Sequence, residues 1–241
     1  MPKRIFTLLP NLITLCNLIS GCMATYMAFN IQTLFGPLSG EQWCWIFIGL
    51  AAVFDFCDGA SARALKAYSE IGKQLDSLSD LVSFGVAPGM LMLNVMLQYS
   101  QHAWLCFFAL LIPALGAYRL AKFNVDTRQA TSFRGLPIPA NAIFWVGACG
   151  WIERYAYPGT AGLVVIIVLI SSLMVSDMPM FSLKFKNLDW HENFRRYVMI
   201  VATLAFVIVW GVSGLLWAIL LYILISAVGS RHAAPADGQP Q

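Results

Sequence analysis

Residues 55–80 read DFCDGASARALKAYSEIGKQLDSLSD, which sets four aspartates beside long apolar segments. Asp55 and Asp58 are three residues apart, and Asp76 and Asp80 are four apart. On helices, each spacing puts both carboxylates on one face. Gly59 adjoins the first pair, and Gly72 lies on the stripe of the second. Carboxylates converging beside a membrane repel one another, and each costs on the order of several kcal/mol to desolvate. Two divalent cations would cancel that charge. The stretch therefore predicts a metal site with chemistry in or at a membrane.

The surrounding chain supplies the membrane. Of 241 residues, 59% are hydrophobic and only 11% charged, and mean hydropathy is +0.70, which excludes an ordinary soluble domain. The apolar runs are roughly 16 to 21 residues long, the length a helix needs to cross a bilayer. Transmembrane strands would show shorter, strictly alternating runs, and none is present. The expected fold is all-α, a polytopic bundle of about eight spans near 11–29, 42–57, 77–97, 103–121, 137–152, 159–176, 197–212 and 214–229. The last two are short and meet at Gly211–Gly214, so one longer kinked element is the alternative. Residues 1–230 read as one integral membrane domain, and 231–241 as a polar, Pro- and Ala-rich tail expected to be disordered. The first apolar segment follows Lys3 and Arg4 but carries Asn11, Thr14 and Asn17, so it reads as a retained span and not a cleaved signal.

Charge distribution orients the bundle. With a cytoplasmic N-terminus and eight spans, all but Arg154 of the 15 basic residues fall on the cytoplasmic side. That layout puts the four aspartates and the tail at the cytoplasmic face, in a membrane expected to be the bacterial inner membrane. The net charge of +3 is too small to suggest a nucleic-acid partner. Lys184, Lys186, Arg195 and Arg196 read first as topology determinants, though they would also attract anionic lipid head groups. The six cysteines are scattered without a CxxC pair and read as small buried hydrophobes.

Helix packing has its own signals. Asn11, Thr14, Asn17 and Gly21 lie near one face of the first span, suited to interhelical hydrogen bonds and close approach, or to facing a polar site. Ser69, Gly72, Ser83 and Ala87 extend the Asp76–Asp80 stripe with small residues, and Pro88 with Gly89 predicts a kink.

With its spacings, the stretch is D-x2-D-G-x2-A-R-x8-G-x3-D-x3-D. Hard oxygen ligands one helical turn apart suit Mg²⁺ or Mn²⁺, and such ions are commonly shared with a substrate phosphate. Two ions could bridge a diphosphate and stabilise its leaving group. Gly59 and Gly72 leave room beside the backbone, and Arg63 offers a planar fork to a phosphate. An aspartate not fully engaged by metal could take the proton of an attacking hydroxyl. Pairing with Arg63, Lys66 and Lys73 would explain a single aspartate, but not four with two glycines in this register. A Cys57 nucleophile lacks a nearby histidine. A cation transporter would spread its acids over several spans at the midplane.

The spaced motif resembles that of the CDP-alcohol phosphotransferase family, and every fixed position is matched. The resemblance implies a membrane enzyme, typically dimeric, that moves a phosphatidyl or related group from a CDP-linked donor to an alcohol and releases CMP. It implies that Asp55, Asp58 and Asp76 are metal ligands, and that Asp80 is the general base beside the metals. It further implies that Asp58, Gly59, Ala62, Arg63 and Gly72 receive the cytidine diphosphate. LPNLITLCNLISG, SDLVSFGVAPG, YRLAKFN and FRGLPIPANA are similar to the phosphatidylserine synthase branch of that family, covering much of residues 9–144. The expected donor is then CDP-diacylglycerol and the expected acceptor L-serine, with membrane lipids around a homodimer. The serine carboxylate calls for a cation, and Arg119, Lys122 and Arg134 are the candidates, although the positive-inside rule accounts for them equally. The rival acceptor is another alcohol such as glycerol 3-phosphate, whose two negative charges would want a denser basic pocket.

Overall fold

The computed structural model describes residues 2–125, 133–181 and 189–231. Ten α-helices make up most of this: α1 (Pro2–Ala28), α2 (Gly40–Leu65), α3 (Glu70–Asp80), α4 (Ala87–Tyr99), α5 (Ala103–Cys106), α6 (Leu111–Val125), α7 (Ile138–Arg154), α8 (Thr160–Val175), α9 (Trp190–Trp210) and α10 (Gly214–Arg231). Among the described residues, strands are confined to two antiparallel two-residue pairs, Leu34–Phe35 with Leu38–Ser39 and Phe133–Arg134 with Pro179–Met180. The all-α, polytopic expectation holds. The predicted tail beyond residue 231 lies outside the described residues, as do Arg128, Lys184 and Lys186.

Among the described residues, five helical stretches are long and apolar enough to cross a membrane: Leu8–Ala28, Gly40–Leu65, Glu70–Tyr99, Ala103–Val125 and Asn193–Val228. Length and composition alone do not carry the expected count of eight. Helices α7 and α8 have 17 and 16 residues, and α9 with α10 forms one apolar stretch. That last stretch is nonetheless two helices. Gly211 takes a positive φ of 62°, and a Cβ at Gly214 would collide with the Phe206 carbonyl, so the chain reverses here and α10 packs back on α9. The single kinked element is excluded.

Burial explains which helices form the centre. Helix α7 is apolar on all sides and covered on most of them, with Trp145 fully buried and its indole Nε1 donating to Asn141 Oδ1 at 3.0 Å. It packs against α4, where Leu91, Met92 and Met96 are fully buried. Outer faces are apolar instead: Leu12 and Ile19 of α1, and Leu204 and Ile208 of α9, are exposed. Such faces suit hydrocarbon and not water, as in a membrane protein. The cysteine expectation is half corrected. Cys44, Cys106 and Cys149 are buried, whereas Cys16, Cys22 and Cys57 are exposed on helix faces, where small apolar side chains are equally at home in lipid.

Two local breaks shape the bundle around the aspartates. A π-helical turn, Leu81–Val86, joins α3 to α4, and Ala87 N–H reaches back five residues to the Val82 carbonyl. This widened turn precedes Pro88, which has no N–H to give. A 3₁₀ turn, Phe107–Leu110, joins α5 to α6 ahead of Pro113, and Gly89 lets Pro113 seat directly on α4, since a Cβ there would come within 2.7 Å of the proline ring. The departure from regular α-helix therefore lies at the π-turn, just before the predicted position at Pro88 and Gly89.

Candidate functional site

The aspartate motif is helical nearly throughout. Sequence placed the end of the second span at residue 57, but α2 runs on to Leu65 because the Ala-rich polar turn GASARAL keeps its own backbone hydrogen bonds. Lys66 then ends the helix in the left-handed conformation, φ 49°, its N–H turned back to Ala62 and Arg63 carbonyls. Glycine usually fills such a cap. Lys66→Gly is therefore expected to stabilise the protein by about 0.5–1 kcal/mol, read as a higher thermal midpoint in detergent with unchanged turnover. After the turn, Ser69 caps α3 by accepting from Gly72 N–H at 3.0 Å. A Cβ at Gly72 would press on both Ser69 Oγ (2.9 Å) and Asn11 Oδ1 (3.0 Å), so this glycine keeps α1 close to the start of α3.

The two helices bring three of the four motif carboxylates together. Asp55, Asp76 and Asp80 each offer an oxygen within 4.8 Å of the others. Asp58 lies outside this tight group and turns to α1, where Thr14 Oγ1 donates to its Oδ2 at 2.7 Å. Asp80, only 9% exposed, accepts at 3.2 Å from Asn17 Nδ2. Asn17 Oδ1 in turn accepts from Ser83 Oγ at 2.7 Å, which fixes the amide with its NH₂ toward the carboxylate. Gly21 makes that possible: its missing Cβ is replaced by Ser83 itself, so α1 and the π-turn meet backbone to backbone. The polar face of α1 thus serves both readings its sequence left open. It packs closely, and it orients Asp58 and Asp80.

Three oxygen ligands this close, largely withdrawn from water, form an acidic group that could hold a metal ion. An all-carboxylate donor set fits hard, oxygen-preferring cations and does not fit soft ones.

Two cavities open on either side of this group. The first, about 350 Å³, is lined by Asp55, Asp76, Asp80, Arg119, Phe181 and Tyr222, among others. The second, about 230 Å³, is lined by Asp58, Gly59, Ala62, Arg63, Ser69 and Gly72 together with Asn11 and Thr14 of α1. Asp76 and Lys73 line both. The motif glycines and Arg63 therefore sit in one chamber and three of the four aspartates at the other. A methyl group at Gly59 would meet nothing nearer than the Arg63 guanidinium at 3.5 Å, so the fold accepts it.

The three basic candidates separate. Arg119 of α6 is 8% exposed, faces the first cavity, and its Nε has no hydrogen-bond partner among the described residues. Lys122 lies one turn on, but its ammonium is held by Asp177 Oδ1 at 3.1 Å and approaches the Val175 carbonyl at 3.4 Å, away from the cavity lining. Arg134 sits in the short strand opposite Pro179 and is also absent from that lining. Sequence reasoning did not single out Lys73, Phe181 or Tyr222 for this site. Lys73 was legible as a motif neighbour, and its Nζ donates to the Asn124 carbonyl at 3.2 Å. Tyr222 carried no signal, since it enters from α10 and is fixed by donating to the Phe181 carbonyl at 3.0 Å.

Helices long and apolar enough to cross a membrane thus carry an acidic group that opens to two chambers. The sequence model of the CDP-alcohol phosphatidyltransferase family matches residues 7–181, and the chain belongs to that family. Among the proteins it is similar to are three named CDP-diacylglycerol–serine O-phosphatidyltransferase. The Bacillus subtilis protein is 35% identical over 178 residues, covering 70% of this chain and 88% of that protein. The Methanocaldococcus jannaschii protein is 33% identical over 177 residues, covering 73% and 74%. The Helicobacter pylori J99 protein is 32% identical over 212 residues, covering 86% and 85%.

Proposed function

We propose that this chain transfers the phosphatidyl group of CDP-diacylglycerol to L-serine, giving phosphatidylserine and CMP. The observation that carries the reading is the presence, in the lining of one cavity, of both the Asp80 carboxylate and the buried Arg119 guanidinium, beside a separate chamber lined by the motif glycines and Arg63. The names of the relatives support the same donor and acceptor.

In this reading the second chamber takes the cytidine diphosphate. Gly59 and Gly72 let it lie against the helix backbone, and Arg63 meets a phosphate with paired N–H groups. Arg119 receives the serine carboxylate and so aims the serine hydroxyl at the acidic group. Asp80, held by Asn17, takes the hydroxyl proton. The serine oxygen forms its bond to the phosphorus that carries diacylglycerol, and the bond from that phosphorus to the CMP oxygen breaks, its electron pair leaving with CMP. Asp55, Asp58, Asp76 and Asp80 would hold Mg²⁺ or Mn²⁺, two ions in all, which when bound neutralise the diphosphate and the departing CMP. A single displacement of this kind inverts the configuration at phosphorus.

The basic-residue asymmetry supports a cytoplasmic-facing site in a bacterial inner membrane, and the family resemblance supports a homodimer. The test is CMP release by purified protein supplied with CDP-diacylglycerol, Mg²⁺ or Mn²⁺, and a panel of alcohols. Serine-dependent release is expected. Release with glycerol 3-phosphate or inositol but not with serine overturns the assignment.

A further inference from the structure

A third cavity, about 490 Å³, lies beside the first, and the two share Pro137, Pro139 and Tyr222 in their linings. Its character is opposite to that of the aspartate chamber. Helix α9 contributes Arg196, Met199, Ile200, Thr203 and Leu204, which recur at the spacing of one helical face. Helix α10 contributes a matching face from Leu215 to Tyr222, and Ala140 and Ile143 of α7 close the third side. Arg196 is the single charged residue in the lining, and it donates to Asn193 Oδ1. Along the α9–α10 hairpin, Arg196 lies furthest of the lining residues from the turn at Gly211, and Tyr222, which also lines the aspartate chamber, lies nearer the level of Thr203. The trough therefore meets that chamber along the wall formed by Pro137, Pro139 and Tyr222. Its α9 wall, from Arg196 to Leu204, extends for about 12 Å, eight residues at the helical rise.

Resting on the proposed reaction, we propose that this trough is the seat of one acyl chain of the CDP-diacylglycerol donor. A molecule whose phosphorus is at the aspartates must send hydrocarbon away from them, and the trough is an almost wholly apolar space sharing walls with that chamber. Its apolar walls suit an alkyl chain. Two of its three walls belong to helices beyond residue 181, where the family match ends. The family motif therefore governs the reaction, and the C-terminal hairpin governs which lipids reach it. Tyr222 is the partition between the two spaces, its phenol hydroxyl tied to the Phe181 carbonyl and its ring against Phe181.

Thr203→Trp fills the trough from α9 without touching the aspartate chamber, whose lining does not include Thr203. The variant is expected to raise the KM for CDP-dioleoylglycerol at least about tenfold, the scale on which an apolar pocket discriminates, while leaving the KM for CDP-dihexanoylglycerol and for serine unchanged. Ile143→Ala, which widens the trough from α7, serves where the larger substitution impairs folding, and should relax the chain-length preference. Equal effects on long- and short-chain donors, or none on either, overturn the acyl seat. A donor carrying a mid-chain diazirine gives a readout independent of the acceptor. Labelling of Met199–Leu204 or Leu215–Ile219 supports the proposal, and labelling confined to other helices overturns it. Wild-type protein that binds and labels but releases no CMP with serine would instead overturn the proposed reaction alone.

Discussion

Asp80→Asn is expected to lower kcat by about 10²–10⁴-fold, the range lost with a positioned general base, while the protein remains folded. The substitution is nearly isosteric, and its carbonyl oxygen can still accept from Asn17 Nδ2, now 3.2 Å from Oδ1. The link from Asn17 to Ser83 and the close contact of Gly21 with the π-turn are untouched, so α1 keeps its seat. What disappears is the ability to accept a proton and one of three convergent negative charges.

Those two losses are separable. Asp55 and Asp80 both belong to the acidic group, but the Asn17 contact to Asp80 holds one of its oxygens in a fixed direction. Asp55→Asn weakens a cation site by one ligand, a deficit that raising Mn²⁺ should largely restore. Asp80→Asn should stay inactive at any Mn²⁺ concentration, because added metal does not replace a proton acceptor. Recovery of Asp80→Asn to near wild-type turnover at high Mn²⁺ would reassign Asp80 as a ligand only. Elution as a single species in detergent, with wild-type helicity, checks that the fold is intact.

The aspartates illustrate what a sequence can carry. Their spacing fixes which carboxylates share a face of α2 or α3, and local periodicity needs no knowledge of neighbours. Hydropathy likewise placed the apolar rods, but it ended the second span at residue 57, since a transfer scale reads only polarity and α2 continues through polar residues to Leu65. The partners of the aspartates were harder. Thr14 and Asn17 were visible as a polar face, yet only the packing of α1 on the π-turn assigns Thr14 to Asp58 and Asn17 to Asp80. Arg119 and Lys122 look equivalent in the sequence, being three apart on one helix. They part because Asp177, 55 residues beyond Lys122, captures its ammonium and no such partner reaches Arg119 Nε. Tyr222 is more distant still and enters the chamber only because the chain reverses at Gly211.

That separation gives Arg119 the second large expected effect. Arg119→Gln should raise the KM for serine by about 10–100-fold, equivalent to the roughly 1.5–3 kcal/mol of a hydrogen bond to a charged group, with the KM for CDP-diacylglycerol unchanged. Glutamine keeps the stem as far as Cδ and a donor near the Nε position in a residue that is 8% exposed, which limits the packing loss that alanine would bring. Arg119→Lys keeps the charge without the planar fork and should fall between the two. A buried arginine near three carboxylates also offsets their charge, so loss of activity alone would not identify its partner. The discriminating substrate is serine methyl ester, which has the hydroxyl and the amine but no carboxylate. Wild-type protein should favour serine over the ester strongly, and Arg119→Gln should erase most of that preference by slowing serine alone. Equal slowing of both acceptors would instead mean that Arg119 serves the charge balance of the acidic group, and the serine carboxylate would then need another cation.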